Sequence, residues 1–189
     1  KVLDRANVIE FRMERSDLEG FLGSPARPDL SKLDGKGAPF GKAFVDAAKD
    51  SAAVPADVQA DYDTEMLLLF KTLQPHGAEF GYRTAYETAR FIHFYKMLDD
   101  YAYSGTSWFP GAFDCVVFQK MLPKLHGSRA KLGPVLKKLW FLCVNDAAGR
   151  GADALEAAGE AVYSTDKKAE PTVVVPAGAP YPLSAEKIG

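Results

Sequence analysis

Glu79-Phe80-Gly81-Tyr82-Arg83-Thr84-Ala85-Tyr86-Glu87-Thr88-Ala89-Arg90-Phe91-Ile92-His93-Phe94-Tyr95-Lys96-Met97-Leu98 decides the fold of this chain. Its aromatics recur at helical spacing. Tyr82, Tyr86, Ala89 and His93 share one stripe, and Phe91, Ile92, Tyr95 and Leu98 form a broader apolar one. The pattern predicts a helix that is apolar around much of its circumference and mostly buried. It opens on the permissive Gly81 and on Arg83, whose guanidinium needs a partner. An anion at the helix N-terminus is one such partner. An ion pair with Glu87, one turn on, is the other.

Upstream, Val58, Tyr62, Met66, Leu69, Phe70 and Leu73 give a second helix from Pro55, closed by Gln74-Pro75-His76-Gly77. Downstream, residues 112–122 read as a helix ended by Pro123. Lys124-Leu125-His126-Gly127-Ser128-Arg129 is a basic turn, and Leu132, Val135, Leu136, Leu139, Leu142 and Cys143 face inward from a helix over 131–145. Residues 147–161 read as a frayed helix and 166–182 as an extended, Pro-rich tail. Towards the N-terminus, Ser16-Asp17-Leu18-Glu19 resembles a capping box. Residues 24–54 form an irregular insert that ends in a short helix over 40–49. The glycines at 35, 37 and 41 there have the wrong spacing for a phosphate loop, and Ala43 stands where Ser or Thr is needed. Val8, Ile9, Phe11 and Met13 read as a strand, yet strand candidates to pair with it are scarce. Both ends look cut, so a fragment of a longer protein is expected.

The 189 residues suit one ordinary domain, and 47% hydrophobic with 25% charged residues is a globular composition. A net charge of -2 gives no general attraction to nucleic acid. There is no apolar run of about 18 residues and no signal-peptide pattern, so no membrane association is expected and the cytoplasm is the expected compartment. Cys115 and Cys143 sit within apolar helical patterns as small hydrophobes. His76, His93 and His126 lack metal-ligand spacing, so no metal site is expected. No nucleophile motif is present. What remains is cationic: Arg5, Arg83, and Lys124, Arg129 and Lys131 around the basic turn. Arg5 has Asp4 and Glu10 as local partners.

Three segments in order, Val2-Leu3-Asp4-Arg5-Ala6-Asn7-Val8-Ile9-Glu10-Phe11, Phe80-Gly81-Tyr82-Arg83 and Phe118-Gln119-Lys120-Met121-Leu122-Pro123-Lys124-Leu125-His126-Gly127-Ser128, resemble one known family. The chain is similar, over about residues 1–145, to the C-terminal part of AAA+ NTPases of the McrB type. These are the GTP-dependent motor subunits of 5-methylcytosine restriction systems. The resemblance implies a mainly α fold, a helical lid bundle carrying a short N-terminal strand left from an α/β core. Residues 1–15 are then the edge of that core, 16–147 the lid with its insert at 24–54, and 148–189 an Ala/Gly/Pro-rich tail.

It further implies that Arg5 is an arginine finger reaching a neighbouring subunit's nucleotide, and that Arg83, beside Gly81, is the sensor-2 arginine of its own subunit. ATP or GTP with Mg2+ would be the cofactor of the full-length protein. A homo-oligomeric ring, a nuclease subunit and, indirectly, DNA would be its partners. Walker A and Walker B are absent from this sequence, so the chain is not expected to bind or hydrolyse nucleotide alone. The alternative is an all-α interaction or scaffold module without nucleotide chemistry.

Overall fold

The computed structural model describes residues 6–99, 108–146, 149–150 and 175–188. It is mainly helical, with seven α-helices among the described residues: α1 (Arg15–Gly23), α2 (Gly41–Lys49), α3 (Gln59–Leu73), α4 (Tyr82–Asp99), α5 (Trp108–Val116), α6 (Arg129–Val144) and α7 (Pro182–Ile188). The chain divides into two units. One comprises residues 1–8 and 52–189, and the other is Ile9–Ser51.

The larger unit carries the core. The α3 stripe is inward as its 3.6-residue period requires: Val58, Tyr62, Met66, Leu69 and Leu73 are all buried. Val135, Leu139, Leu142 and Cys143 of α6 and Ala112, Phe113 and Val116 of α5 complete the packing. Helix α3 lies beside α6, α4 beside α5, and α7 packs on both α5 and α6. The Tyr62 hydroxyl joins α3 to α4 by donating to the Ala85 carbonyl at 2.8 Å. Burial pushes that phenol up to about 12, so it stays a donor at any ordinary pH.

Helix α4 forms where expected: of its broader apolar stripe Ile92 is buried and Phe91 and Tyr95 pack against the core, while Leu98 is exposed. Thr84, Thr88 and Ile92 are its buried stripe, whereas Tyr82 is 98% exposed and Tyr86 is 60% exposed. The aromatic face is instead dressed by Arg90, whose guanidinium lies over the rings of Tyr86 at 5.9 Å and Phe94 at 5.2 Å. His93 is half-buried at the helix edge, with Nδ1 3.0 Å from the Ala53 carbonyl.

A further expectation is corrected. The strand over residues 8–13 does not form, and no strand occurs among the described residues. A strand needs a partner for its backbone groups, and none of the described residues supplies one. Val8 donates its amide to the Gln119 carbonyl at 2.8 Å. Pro123 explains why that carbonyl is available: an α-helix would satisfy it with the amide of residue 123, and proline has none. The helix accordingly departs from α geometry, through a π turn at Val117–Met121 and a 3-10 turn at Leu122–Lys124.

A last helix follows the stretch read as an extended tail. Residues 182–188 are helical, with Tyr181, Ser184 and Ala185 buried. Asp114 on α5 caps α7 by accepting from the amides of Leu183 at 2.7 Å and Ser184 at 2.9 Å. The frayed helix read at 147–161 lies almost entirely outside the described residues.

In the smaller unit, α1 starts two residues earlier than read. Its capping box pairs Glu14 with Asp17, and the Glu14 amide donates to Asp17 at 3.1 Å. Short 3-10 turns at Leu30–Leu33 and Ala38–Phe40 lead into α2. No residue of this unit is buried. Arg15–Glu19 and Lys42–Asp46 pairs along the helices are its main side-chain links.

Candidate functional site

The segments singled out by sequence meet in one place. Arg83, in the first turn of α4, donates Nε–H to Glu87 Oε1 at 3.0 Å. The other carboxylate oxygen of Glu87 takes Lys120 Nζ, which also donates to Asn7 Oδ1 at 3.1 Å. Lys124 Nζ reaches Thr84 Oγ1 at 2.9 Å. A continuous chain of polar contacts thus links the N-terminal segment, the start of α4 and the π turn.

Each side chain is placed by local structure. The i,i+4 spacing sets Arg83 and Glu87 on one helical face. The π turn swings Lys120 inward, and its side chain is only 4% exposed while Glu87 is 28% exposed. A buried ammonium needs a counter-charge, and Glu87 provides it. Arg83 is 60% exposed and is the open end of the chain.

Desolvation alone would raise the Glu87 carboxyl, but hydrogen bonds from Lys120 and Arg83 outweigh it and hold the pKa below its ordinary value. Beside it lies an open depression of about 320 Å³ lined by Asn7, Glu87, Arg90 and Phe91. Arg83 and Lys120 therefore share the carboxylate of Glu87, and Arg90 lines the depression beside it.

Gly81 is exposed, and a Cβ added there would meet nothing within 4 Å. Nothing in the described structure crowds this position. Arg5 lies outside the described residues, although Asn7, two positions later, belongs to the cluster. Lys131 is exposed on the basic turn and His126 caps it, with Nδ1 2.8 Å from the Lys124 carbonyl.

Lys120 was not singled out by sequence reasoning. Its signal was a lysine inside the apolar run 116–122, where an unpaired charge is not tolerated, and it sits in a stretch between Asp114 and Asp146 that contains no acid.

Other chemistry finds little support. Burial raises both thiols, Cys143 to about 12, so neither is activated as a nucleophile. Among the described residues no group of His, Cys, Asp and Glu could hold a metal ion. No helix of the described residues is long and apolar enough to cross a membrane.

Against known families, the model of a domain of unknown function, DUF8727, matches residues 32–189. The chain belongs to the DUF8727 family. No curated protein and no solved structure matches it. Within this DUF8727 chain the matched span contains Arg83, Glu87, Lys120 and Lys124, whereas Asn7 and α1 precede it. The family description assigns no activity, so a functional reading rests on the chemistry of the cluster.

Proposed function

We propose that this chain is the helical lid of an oligomeric AAA+ NTPase of the McrB type, which couples nucleotide hydrolysis to DNA restriction or remodelling. The observation that carries the reading is the convergence of the three resembling segments: Asn7, Lys120, Glu87 and Arg83 form one bonded chain, and Lys124 bonds Thr84, the residue after Arg83, although the segments lie far apart in sequence. Segments that resemble a family in order, and also meet in space around a surplus of cations, fit a phosphate-sensing role.

Arg83 is the residue that would hold the nucleotide. Its position in the first turn of α4 adds the helix dipole to its own charge, and its side chain is 60% exposed. Bound ATP or GTP with Mg2+ supplies the phosphoryl group to be transferred. This chain contributes a cation that favours the charged triphosphate and orients the lid against it. Arg5 is proposed as the finger acting on a neighbouring subunit in a ring. A nuclease subunit, DNA and a cytoplasmic setting follow from the same reading.

Two experiments test it. The coding sequence ahead of residue 1 should encode a Gly-x-x-x-x-Gly-Lys-Ser/Thr loop. In that polypeptide, Arg83→Ala should lower turnover by about tenfold or more without altering the melting temperature. Unchanged turnover would remove the sensor role. A second reading, a scaffold module without nucleotide chemistry, draws on the Arg83–Glu87 pair itself, since that pair gives Arg83 a purely structural partner. Absence of the upstream loop would favour it.

A further inference from the structure

We propose that Glu87 is a positioning residue that gates Arg83: it holds the guanidinium in reserve, yields it to a triphosphate, and stays anchored on Lys120 when it does so. The inference rests on the reading of Arg83 as a phosphate sensor and adds how that sensor is regulated.

The geometry is that of a carboxylate shared between two unequal cations. Glu87 Oε1 accepts from Arg83, whose side chain is 60% exposed, and Oε2 accepts from Lys120, whose side chain is 4% exposed. The exposed bond is screened by water and is cheap to break, whereas the enclosed bond is not. A phosphate arriving at the exposed Arg83 guanidinium therefore competes with Glu87 for it, and Lys120 keeps Glu87 from following. Asn7 holds the far side of Lys120 at 3.1 Å, so Lys120 stays where it is during the exchange. Without Lys120, the full charge of Glu87 would be directed at Arg83. With Lys120 present, the guanidinium is oriented by a bond that a stronger, doubly charged acceptor can replace.

The test titrates the longer polypeptide that carries the upstream phosphate loop with ATP, GTP and inorganic tripolyphosphate, the last removing any contribution of base and sugar. Glu87→Gln should bind the triphosphates roughly threefold to tenfold more tightly than wild type, because a competitor and a like charge are both removed. Lys120→Met should weaken binding by a similar factor. In the Glu87→Gln background the Lys120→Met effect should vanish, since Lys120 acts through Glu87 and not on the phosphate. Persistence of the full Lys120→Met loss in that background overturns the gate.

A second measurement needs no variant. In wild-type protein the Arg83 Nε–H resonance should shift on saturation with tripolyphosphate while the Lys120 ammonium signal stays fixed, and a stationary Arg83 signal overturns the proposal. If Arg83→Ala abolishes binding but Glu87→Gln does not tighten it, the gate falls and the sensor reading stands. If Arg83→Ala leaves binding unchanged, or no variant binds any triphosphate, both fall.

Discussion

Two polar networks in the larger unit do the same mechanical task with opposite electrostatics. At the C-terminal end, Arg150 pairs with Glu65, donates Nε–H to the Asn145 carbonyl at 2.6 Å, and lies over the Tyr181 ring at 5.1 Å. Asp114 caps α7 nearby in the same packing layer. Side chains of the Arg150–Glu65 pair are 3% and 13% exposed. Around Glu87 the pairing is equally deliberate, but its outer cation faces water. The first network is closed and leaves no bond to be exchanged. The second ends in a cation that a ligand can take. Burial of the partners, not the type of partner, separates an ion pair that holds a fold from one that can work as a switch.

The closed network should therefore show the largest stability effects. Glu65→Ala leaves the Arg150 guanidinium buried without its counter-charge and should cost about 3–5 kcal/mol in chemical denaturation. Glu65→Leu combined with Arg150→Met should recover most of that loss, because a buried pair replaced by apolar groups of similar size is often neutral. A small loss for Glu65→Ala would mean that water reaches this pair and that the contrast with Glu87 is drawn too sharply.

The next test uses pH, where the two networks should respond with opposite sign. Burial dominates at Asp114 and raises its pKa above the ordinary 3.8, despite the amides of Ser184 and Leu183 and the Ser184 hydroxyl. The native state then holds its proton to higher pH than the unfolded chain, so this group's contribution is present below about 3.8 and is lost as pH rises through the folded value. Glu87 is depressed below 4.5, so its contribution is present above 4.5 and is lost as pH falls through the folded value. Asp114→Asn should flatten the first trend and Glu87→Gln the second when melting temperature is followed across acidic pH. The same slope from both variants would contradict the contrast.

Much of the core was legible in the sequence because it is local. Val58 to Leu73 repeats at the helical period, and every turn of α3 reports the same buried side. Helix α4 was legible as a helix but only in part by its face. Tyr82 and Tyr86 outweigh Thr84 and Thr88 on any hydrophobic scale, yet the threonines are the buried pair. The cap on α7 was invisible because Asp114 lies 69 residues from Leu183. Pro182 reads equally well as the end of a coil or as the first residue of a helix. The same limit applied at the site. The Arg83–Glu87 pair could be read from spacing, whereas Lys120 is recruited by a π turn that Pro123 induces and that no periodicity announces.

Lys120→Met should cost about 1–3 kcal/mol, since it removes a charged hydrogen bond to a partly buried carboxylate but leaves Glu87 with Arg83 as a solvent-accessible alternative. The loss should be smaller than that of Glu65→Ala in the same denaturation assay, and a loss equal to it would place Glu87 among the closed pairs.

Arg83→Ala should have the smallest effect on stability and is for that reason the sharpest test of the comparison. The pair it removes is an exposed i,i+4 contact, of a kind that contributes at most about 0.5 kcal/mol and less as salt is added. Glu87 keeps Lys120 and is not orphaned by the change, so no buried charge is created. The melting temperature should stay near that of wild type at both low and high ionic strength, while triphosphate binding is lost. A large destabilisation would mean that Arg83 is held as firmly as Arg150, and a cation held that firmly is not available to a ligand.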